Sequence, residues 1–264
     1  MRTWRVIIQD RVDGALNMGI DKAVLTSVAD GEAPPTLRLY QWRVPTVSLG
    51  RFQQIADVDR EACERRGFDI VRRPTGGRGV LHDDELTYSI VASLADGVPR
   101  GVSASYRYLC AALAETYRDL GVPAELTARP RGTPHAAACY LHATNADLSL
   151  GAAKLSGSAQ VWDRETVLQH GSFVRTRDVT AEVDVFHLDS DAAGELRRVT
   201  VTLADALGSA PAIERIVEAV ARAVSTTLGV ALEPAALSLA EKRRADVFAE
   251  TFSISRSLGP ARSR

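Results

Sequence analysis

The chain has 264 residues, of which 45% are hydrophobic and 25% charged, with a formal net charge of −1. This ordinary globular composition leaves enough apolar material for a sizeable core. The charge balance excludes a bulk electrostatic attraction to nucleic acid or to an anionic membrane, and a local basic patch stays compatible with it. The three cysteines, Cys63, Cys110 and Cys139, are odd in number and widely spaced, and none forms a CxxC pair. That argues against a disulfide framework and against a structural zinc site.

In chain order, "MRTWRVIIQDRVDG" has neither a long apolar run nor a small-residue cleavage site. It is expected to be a strand and not a signal peptide. No run reaches ~18 apolar residues, so no membrane span is expected, and the cytoplasm is the default location. Residues 13–31 carry Ala15, Met18, Ile20, Val24 and Leu25 on one face, which predicts a helix with Asp13 as N-cap and Gly31 as stop. Strands are predicted at 36–42 and 45–50, a short polar helix at 57–68 ending at Gly67, and strands at 69–75 and 85–94. A longer helix spans 103–120 and stops at Gly121. Residues 152–162 and 165–174 read as the two arms of a hairpin, and helices follow at 211–228 and 236–250. No repeat and no linker is visible. Mixed elements with hairpins, and no strict βαβ alternation, predict an α+β fold around a mixed or antiparallel sheet.

Four stretches carry chemistry. "RRPTGGRGVLHDDELTYS" (72–89) combines Gly76, Gly77 and Gly79 with Arg72, Arg73, Arg78 and His82. A phosphate loop of the GxxxxGK[ST] type fails because Val80 follows Gly79, and no GxGxxG is present. A glycine-rich hairpin turn accounts for the glycines alone. The surrounding arginines allow an anion or carbonyl site as well, and glycines let backbone approach a thin ligand closely. "GAAKLSGSAQ" (151–160) places Lys154 before small residues, and only three of the 32 basic residues are lysine. A solvated strand lysine is the plain alternative. In "LQHGSFV" (168–174), His170 is either a core or turn histidine or a site residue. "HAAACYLHATNADL" (135–148) contains Cys139. A buried, inert thiol is the common fate, whereas a reactive one needs a positive neighbour such as Lys154. Cys63 and Cys110 lie on predicted helices and fit the inert reading.

Taken in order, "LNMGIDKAVL" (16–25), "PTVSLGRFQQIADVD" (45–59), "RRPTGGRGVLHDDELTYS", "KLSGSAQ" (154–160) and "VLQHGSFV" (167–174) resemble the lipoate-protein ligase and octanoyltransferase family, relatives of the biotin-protein ligases. Each motif is short, but five in order are specific. They cover about residues 14–175. The resemblance implies one catalytic domain over residues 1–264, with a central mixed sheet, a smaller second sheet and flanking helices. It also implies that Arg73, Thr75, Gly76, Gly77, Arg78, His82, Gly157, Ser158, Ala159, His170 and Gly171 bind the acyl group, and that Lys154 points at its carbonyl.

Within the family, the glycine stretch and "AACY" look most like the cysteine-dependent octanoyltransferases, which makes Cys139 the nucleophile and Lys154 its partner. That implies octanoyl-acyl carrier protein as donor and a lipoyl carrier domain as acceptor, such as the glycine-cleavage H protein or a dehydrogenase E2 domain. No cofactor, metal, nucleic acid or membrane is then expected, and a monomer is the default. The alternative is the catalytic subunit of an ATP-dependent lipoate-protein ligase, using ATP and Mg2+ to form lipoyl-AMP; "ATNADL" (143–148) has its look. Such ligases commonly need an accessory domain, for which this chain is short. A non-catalytic relative that keeps the fold is a third reading.

Overall fold

The computed structural model describes residues 2–127 and 147–255. Its order is β1 (Arg2–Ile8), α1 (Gly14–Ala29), β2 (Thr36–Tyr40), β3 (Thr46–Leu49), α2 (Arg60–Arg66), β4 (Asp69–Arg72), β5 (Val80–His82), β6 (Glu85–Ser93), α3 (Val102–Asp119) and β7 (Glu125–Thr127). After the undescribed stretch come β8 (Asp147–Leu150), β9 (Ala153–Ser156), β10 (Ser158–Asp163) and β11 (Thr166–Val174). The chain then runs through α4 (Val179–Val185), α5 (Ser190–Val199), α6 (Leu203–Leu207), α7 (Ile213–Leu228), β12 (Val230–Pro234), α8 (Leu239–Phe252) and β13 (Ser253–Ser255). The fold is α+β.

The largest sheet has six strands in the order β10-β11-β6-β2-β1-β12. It is mixed: β1 is parallel to β2 and β12, and the remaining pairs are antiparallel. One face packs on α3 and α7, burying Trp4, Leu37, Leu109, Leu113, Phe173 and Val220 together. The other carries α1, whose Ile20, Val24 and Leu25 meet Val91, Leu168 and α8's Ala245. The C-terminal residues thus complete the main sheet and its cover. Glu241 of α8 forms a buried ion pair with Arg5 of β1.

A second sheet runs β13-β4-β3-β5, and a third runs β7-β8-β9. The family resemblance implies one smaller sheet, and the described residues form two. The reason lies at Gly157. Residues 152–162 read as one strand, yet the chain breaks at Gly157, so β9 belongs to the third sheet and β10 to the main one. The hairpin itself is present as β10 and β11, paired from Ser158↔Gly171 to Asp163↔Thr166.

The glycine stretch is also not a hairpin turn. β4 lies parallel to β3 on one side, and β5 antiparallel to β3 on the other. Residues 73–79 therefore cross over the end of β3. They pass so close that a Cβ on Gly50 would stand 2.0 Å from the Gly77 carbonyl oxygen. Gly77 itself has φ +94, in the left-handed region that favours glycine. Among the described residues no helix is long and apolar enough to cross a membrane.

Candidate active site

The cross-over loop roofs a cavity of about 400 Å³ lined from all three sheets and α1. Gly77 is exposed at its rim, with Arg78 and Ala159 half-buried beside it. Met18 from α1, Tyr40 from β2, Trp42 from the segment between β2 and β3, and Ser48 from β3 are buried lining residues. A cavity lined by Tyr40, Trp42, Met18 and a few placed polar groups suits a mostly apolar ligand with one polar end.

Arg73 holds the roof. Its Nη1 donates to the Ser48 carbonyl at 2.8 Å, and its Nη2 donates to the carbonyls of Gly76 at 2.8 Å and Arg78 at 2.7 Å. The planar guanidinium thus ties two backbone carbonyls of the cross-over to one of β3, a planar fork that lysine does not supply. Both ends of the same group also touch hydroxyls. Nη1 donates to Ser48 Oγ at 3.2 Å and Nε to Thr75 Oγ1 at 3.2 Å.

Each hydroxyl leads into a buried relay. Ser48 Oγ meets His82 Nε2 at 2.8 Å, and His82 Nδ1 meets Glu85 Oε1 at 2.7 Å. Thr75 Oγ1 meets His170 Nε2 at 2.7 Å, and His170 Nδ1 meets Asp21 Oδ2 at 3.0 Å. Each hydroxyl oxygen accepts from Arg73 and still has its own proton and a second lone pair to share with Nε2, while Nδ1 faces the carboxylate.

Further donors surround both carboxylates. Asp21 Oδ1 accepts from Arg38 at 2.7 Å and from Ser89 at 2.9 Å, and its Oδ2 accepts from Tyr40 at 3.1 Å. Glu85 Oε1 accepts from Thr87 and Ser172, each at 2.6 Å, and from the Trp42 indole at 3.1 Å. Burial alone would raise the pKa of both carboxyls. Arg38 and His170 outweigh it at Asp21, and His82 with the hydroxyl donors outweighs it at Glu85, so both stay below the ordinary range. Burial pushes His170 below the ordinary imidazole value against the pull of Asp21. Trp42 stacks on the His82 ring with centroids 4.1 Å apart, which fixes the imidazole plane. Hydroxyl, imidazole and carboxylate in this order can activate a nucleophile. Here the guanidinium occupies each hydroxyl oxygen, and the relays serve to hold the walls.

Lys154 stands on the cavity wall. Its side chain is 3% exposed and its Nζ lies 3.1 Å from Asp147 Oδ2, itself 4% exposed. β9 is held there because the Lys154 carbonyl accepts from Val201 N at 2.9 Å. A Cβ on Gly157 would stand 3.2 Å from both Cε and Nζ of Lys154, so the glycine at the sheet break leaves room for the ammonium. Below it, Ser158 is fixed by the Tyr88 hydroxyl at 2.6 Å and by its amide donating to Tyr106 at 3.1 Å. A buried ammonium beside a carboxylate can donate to a carbonyl or developing oxyanion placed at the rim.

The two described cysteines are poor nucleophiles. Burial pushes the Cys63 thiol up to about 11 and the Cys110 thiol up to about 12. Cys139 lies outside the described residues.

The match to known proteins agrees with this architecture. The family model described as the lipoyl protein ligase A/B catalytic domain matches residues 13–225. The chain belongs to that family. It is 40% identical to an octanoyltransferase LipM of Kyrpidia tusciae, over 93% of this chain and 94% of the relative. It is 39% identical to the octanoyltransferase LipM of Moorella thermoacetica, over 92% of each chain. Among solved structures, the putative lipoate protein ligase of Thermoplasma acidophilum with bound lipoic acid superposes with a TM-score of 0.77 at 21% identity, covering 95% of this chain and 96% of that one. A lipoate-protein ligase A bound with ATP superposes at 0.79 and 22% identity, covering 95% of each. At that identity the structures share the fold.

For a member of the lipoyl ligase and transferase family, the sequence motifs fall together as follows. Arg73, Gly77, Arg78, His82, Lys154, Gly157, Ser158, Ala159, His170 and Gly171 all line the cavity. Thr75 and Gly76 do not: Thr75 is wholly buried behind His170, and a Cβ on Gly76 would point into open space. Sequence reasoning missed Asp21, Ser48, Glu85 and Asp147. Asp21 stands with Asn17 among the apolar residues of the predicted helix, a polar pair at i, i+4 that is its local signal. Asp147 had no local signal, because only the pairing of β8 with β9 brings it to Lys154.

Proposed function

We propose that the protein is an octanoyltransferase of protein lipoylation that works through a thioester on Cys139. The observation that supports the reading is the cavity lined by the buried Lys154–Asp147 pair, in a chain whose octanoyltransferase relatives match it over almost its whole length. The octanoyl chain lies along the cavity with its carbonyl towards Lys154. The Cys139 thiolate attacks the thioester carbonyl of an octanoyl-acyl carrier protein and expels the carrier's thiolate, which takes up a proton. A neutral lysine amine of a lipoyl carrier domain then attacks the acyl-enzyme. An amide forms, the C–S bond breaks, and the amine's surplus proton neutralises the leaving Cys139 sulfur. Lys154 donates a hydrogen bond to the carbonyl oxygen in both steps. A thioester already activates the acyl group, so ATP and Mg2+ are not consumed, and the reaction belongs in the cytoplasm with its acyl donor.

Incubation with octanoyl-acyl carrier protein followed by intact mass measurement tests this. The expected result is one octanoyl adduct that hydroxylamine removes and that Cys139→Ser abolishes, whereas Cys63→Ser and Cys110→Ser retain it. Absence of the adduct together with lipoate-dependent release of AMP from ATP would overturn the transferase in favour of the ligase.

A further inference from the structure

Beside the rim, residues 50–54 form a tight turn that carries Phe52 at its tip, 80% exposed. A single exposed aromatic is unremarkable by itself. This one sits in an unusual setting. The turn and the glycine cross-over are one rigid unit: Arg51 N donates to the Thr75 carbonyl at 2.8 Å, and Gly50 packs directly beneath Gly77. Arg72 Nη1 secures the turn from below, donating to the carbonyls of Gly50 at 2.9 Å and Gln53 at 2.7 Å. The buried Gln53 closes it through Gly50 N at 3.3 Å. The exposed Phe52 ring is therefore presented on a fixed platform, which lowers the entropy lost on docking.

The platform is also strongly basic in a chain of net charge −1. Residues 50–56 and 72–82 contain Arg51, Arg72, Arg73 and Arg78 and no acidic residue, and Asp57 and Asp83 follow them; Arg73 is buried, so Arg51, Arg72 and Arg78 carry the outward charge. Among the described residues no carboxylate pairs with Arg51 or Arg72. Arg51 is instead set against the Phe52 ring at 5.4 Å. An exposed aromatic flanked by arginines is the composition of an interface centre, and its charge selects an acidic partner.

We infer that this Arg51–Phe52 turn is the docking seat for the acidic carrier domain that delivers the octanoyl thioester, an inference that rests on the transferase reading. The donor fits better than the acceptor, because its acyl chain must be threaded into the cavity past Gly77, which the turn adjoins, whereas an acceptor lysine arrives when the acyl group is already seated.

The test compares two acyl donors in the first half-reaction, using the full chain and following adduct formation by rapid quench and intact mass. One donor is octanoyl-acyl carrier protein; the other is octanoyl-N-acetylcysteamine, a small uncharged thioester. Phe52→Ala and Arg51→Glu are expected to slow acylation from the carrier by about thirtyfold each, as interface centres do. Arg51→Glu is also expected to flatten the dependence of that rate on salt. Acylation from the small thioester is expected to stay within about twofold of the unaltered protein, since neither side chain lines the cavity. Equal slowing with both donors would overturn docking, leaving the turn as support for the cavity. Unchanged carrier acylation would overturn it too, as would slowing confined to the later transfer onto the lipoyl domain. Failure of the unaltered protein to form an adduct with either donor is a separate result: it removes the transferase reading, and the docking inference with it.

Discussion

Arg73 donates to the Ser48 hydroxyl from Nη1 and to the Thr75 hydroxyl from Nε, each at 3.2 Å. One guanidinium thereby ties two imidazole–carboxylate relays to the cross-over that roofs the cavity. A lysine supplies no such planar fork. Arg73→Lys is expected to strand several buried acceptors and to lower the unfolding free energy by about 3 kcal/mol, each orphaned group costing about 1–3 kcal/mol. Ser48→Ala and Thr75→Ala remove one link apiece and are expected to cost about 1 kcal/mol each. Urea unfolding checks this: the midpoint falls with the slope unchanged if the native fold is kept.

The second relay sets a pH dependence. His170 is held below its ordinary value, so the unfolded chain binds a proton at a higher pH than the native one. Stability contributed by keeping His170 neutral is present above about pH 6.5 and is lost as pH falls below that value towards the lowered native pKa. Asp21 and Glu85 are held low as well, so their contribution is lost further into acid, below about pH 4. Melting temperature is expected to fall in two stages on acidification. His170→Gln keeps a polar group of similar reach and is expected to remove the upper stage and leave the lower one; an unchanged upper stage would assign it to another group.

How far the sequence disclosed this site depends on the range of the contacts. Arg73, Gly77 and His82 stand in one continuous motif, and Lys154 and His170 in short motifs of their own, so local spacing reveals them. The main sheet was legible for the same reason, as alternation within β2, β6 and β11 needs no partner. Contacts between distant segments were not. Asp147 reaches Lys154 only through β8 pairing with β9, and Asp21 reaches His170 from 149 positions away. The short strands β5, β12 and β13 carry too little pattern to be seen before their neighbours are known. The break at Gly157 is invisible for a further reason. An isolated glycine in a strand pattern signals a bulge or a close approach, and here it marks both a change of sheet and room for Lys154.

The glycines of the cross-over are expected to respond unequally. Gly50→Ala sets a methyl 2.0 Å from the Gly77 carbonyl oxygen, and both groups are backbone-fixed, so the loop must shift. A loss of about 1–3 kcal/mol is expected, together with weaker octanoate binding by calorimetry. Gly76→Ala meets nothing within 4 Å and its φ is not in the left-handed region, so stability is expected to change by less than about 0.5 kcal/mol. Equal effects at the two positions would contradict the cross-over geometry.

Lys154 and Asp147 form an ion pair with both side chains almost wholly buried, 3.1 Å apart. Removing one charge leaves the other in a poor environment, so Lys154→Met and Asp147→Leu are each expected to destabilise by about 3–5 kcal/mol. The double variant is expected to lose less than the sum, because no lone charge remains. Activity should not follow stability. Both variants lacking Lys154 are expected to lose octanoyl transfer by about 10²–10³-fold, the usual loss when a donor to a developing oxyanion is removed. Asp147→Asn, which keeps a hydrogen-bonding partner for Nζ, is expected to retain more activity than either. Denaturant unfolding and single-turnover transfer on the same four proteins separate the two roles. Recovery of transfer in the double variant would show that Lys154 acts on stability alone.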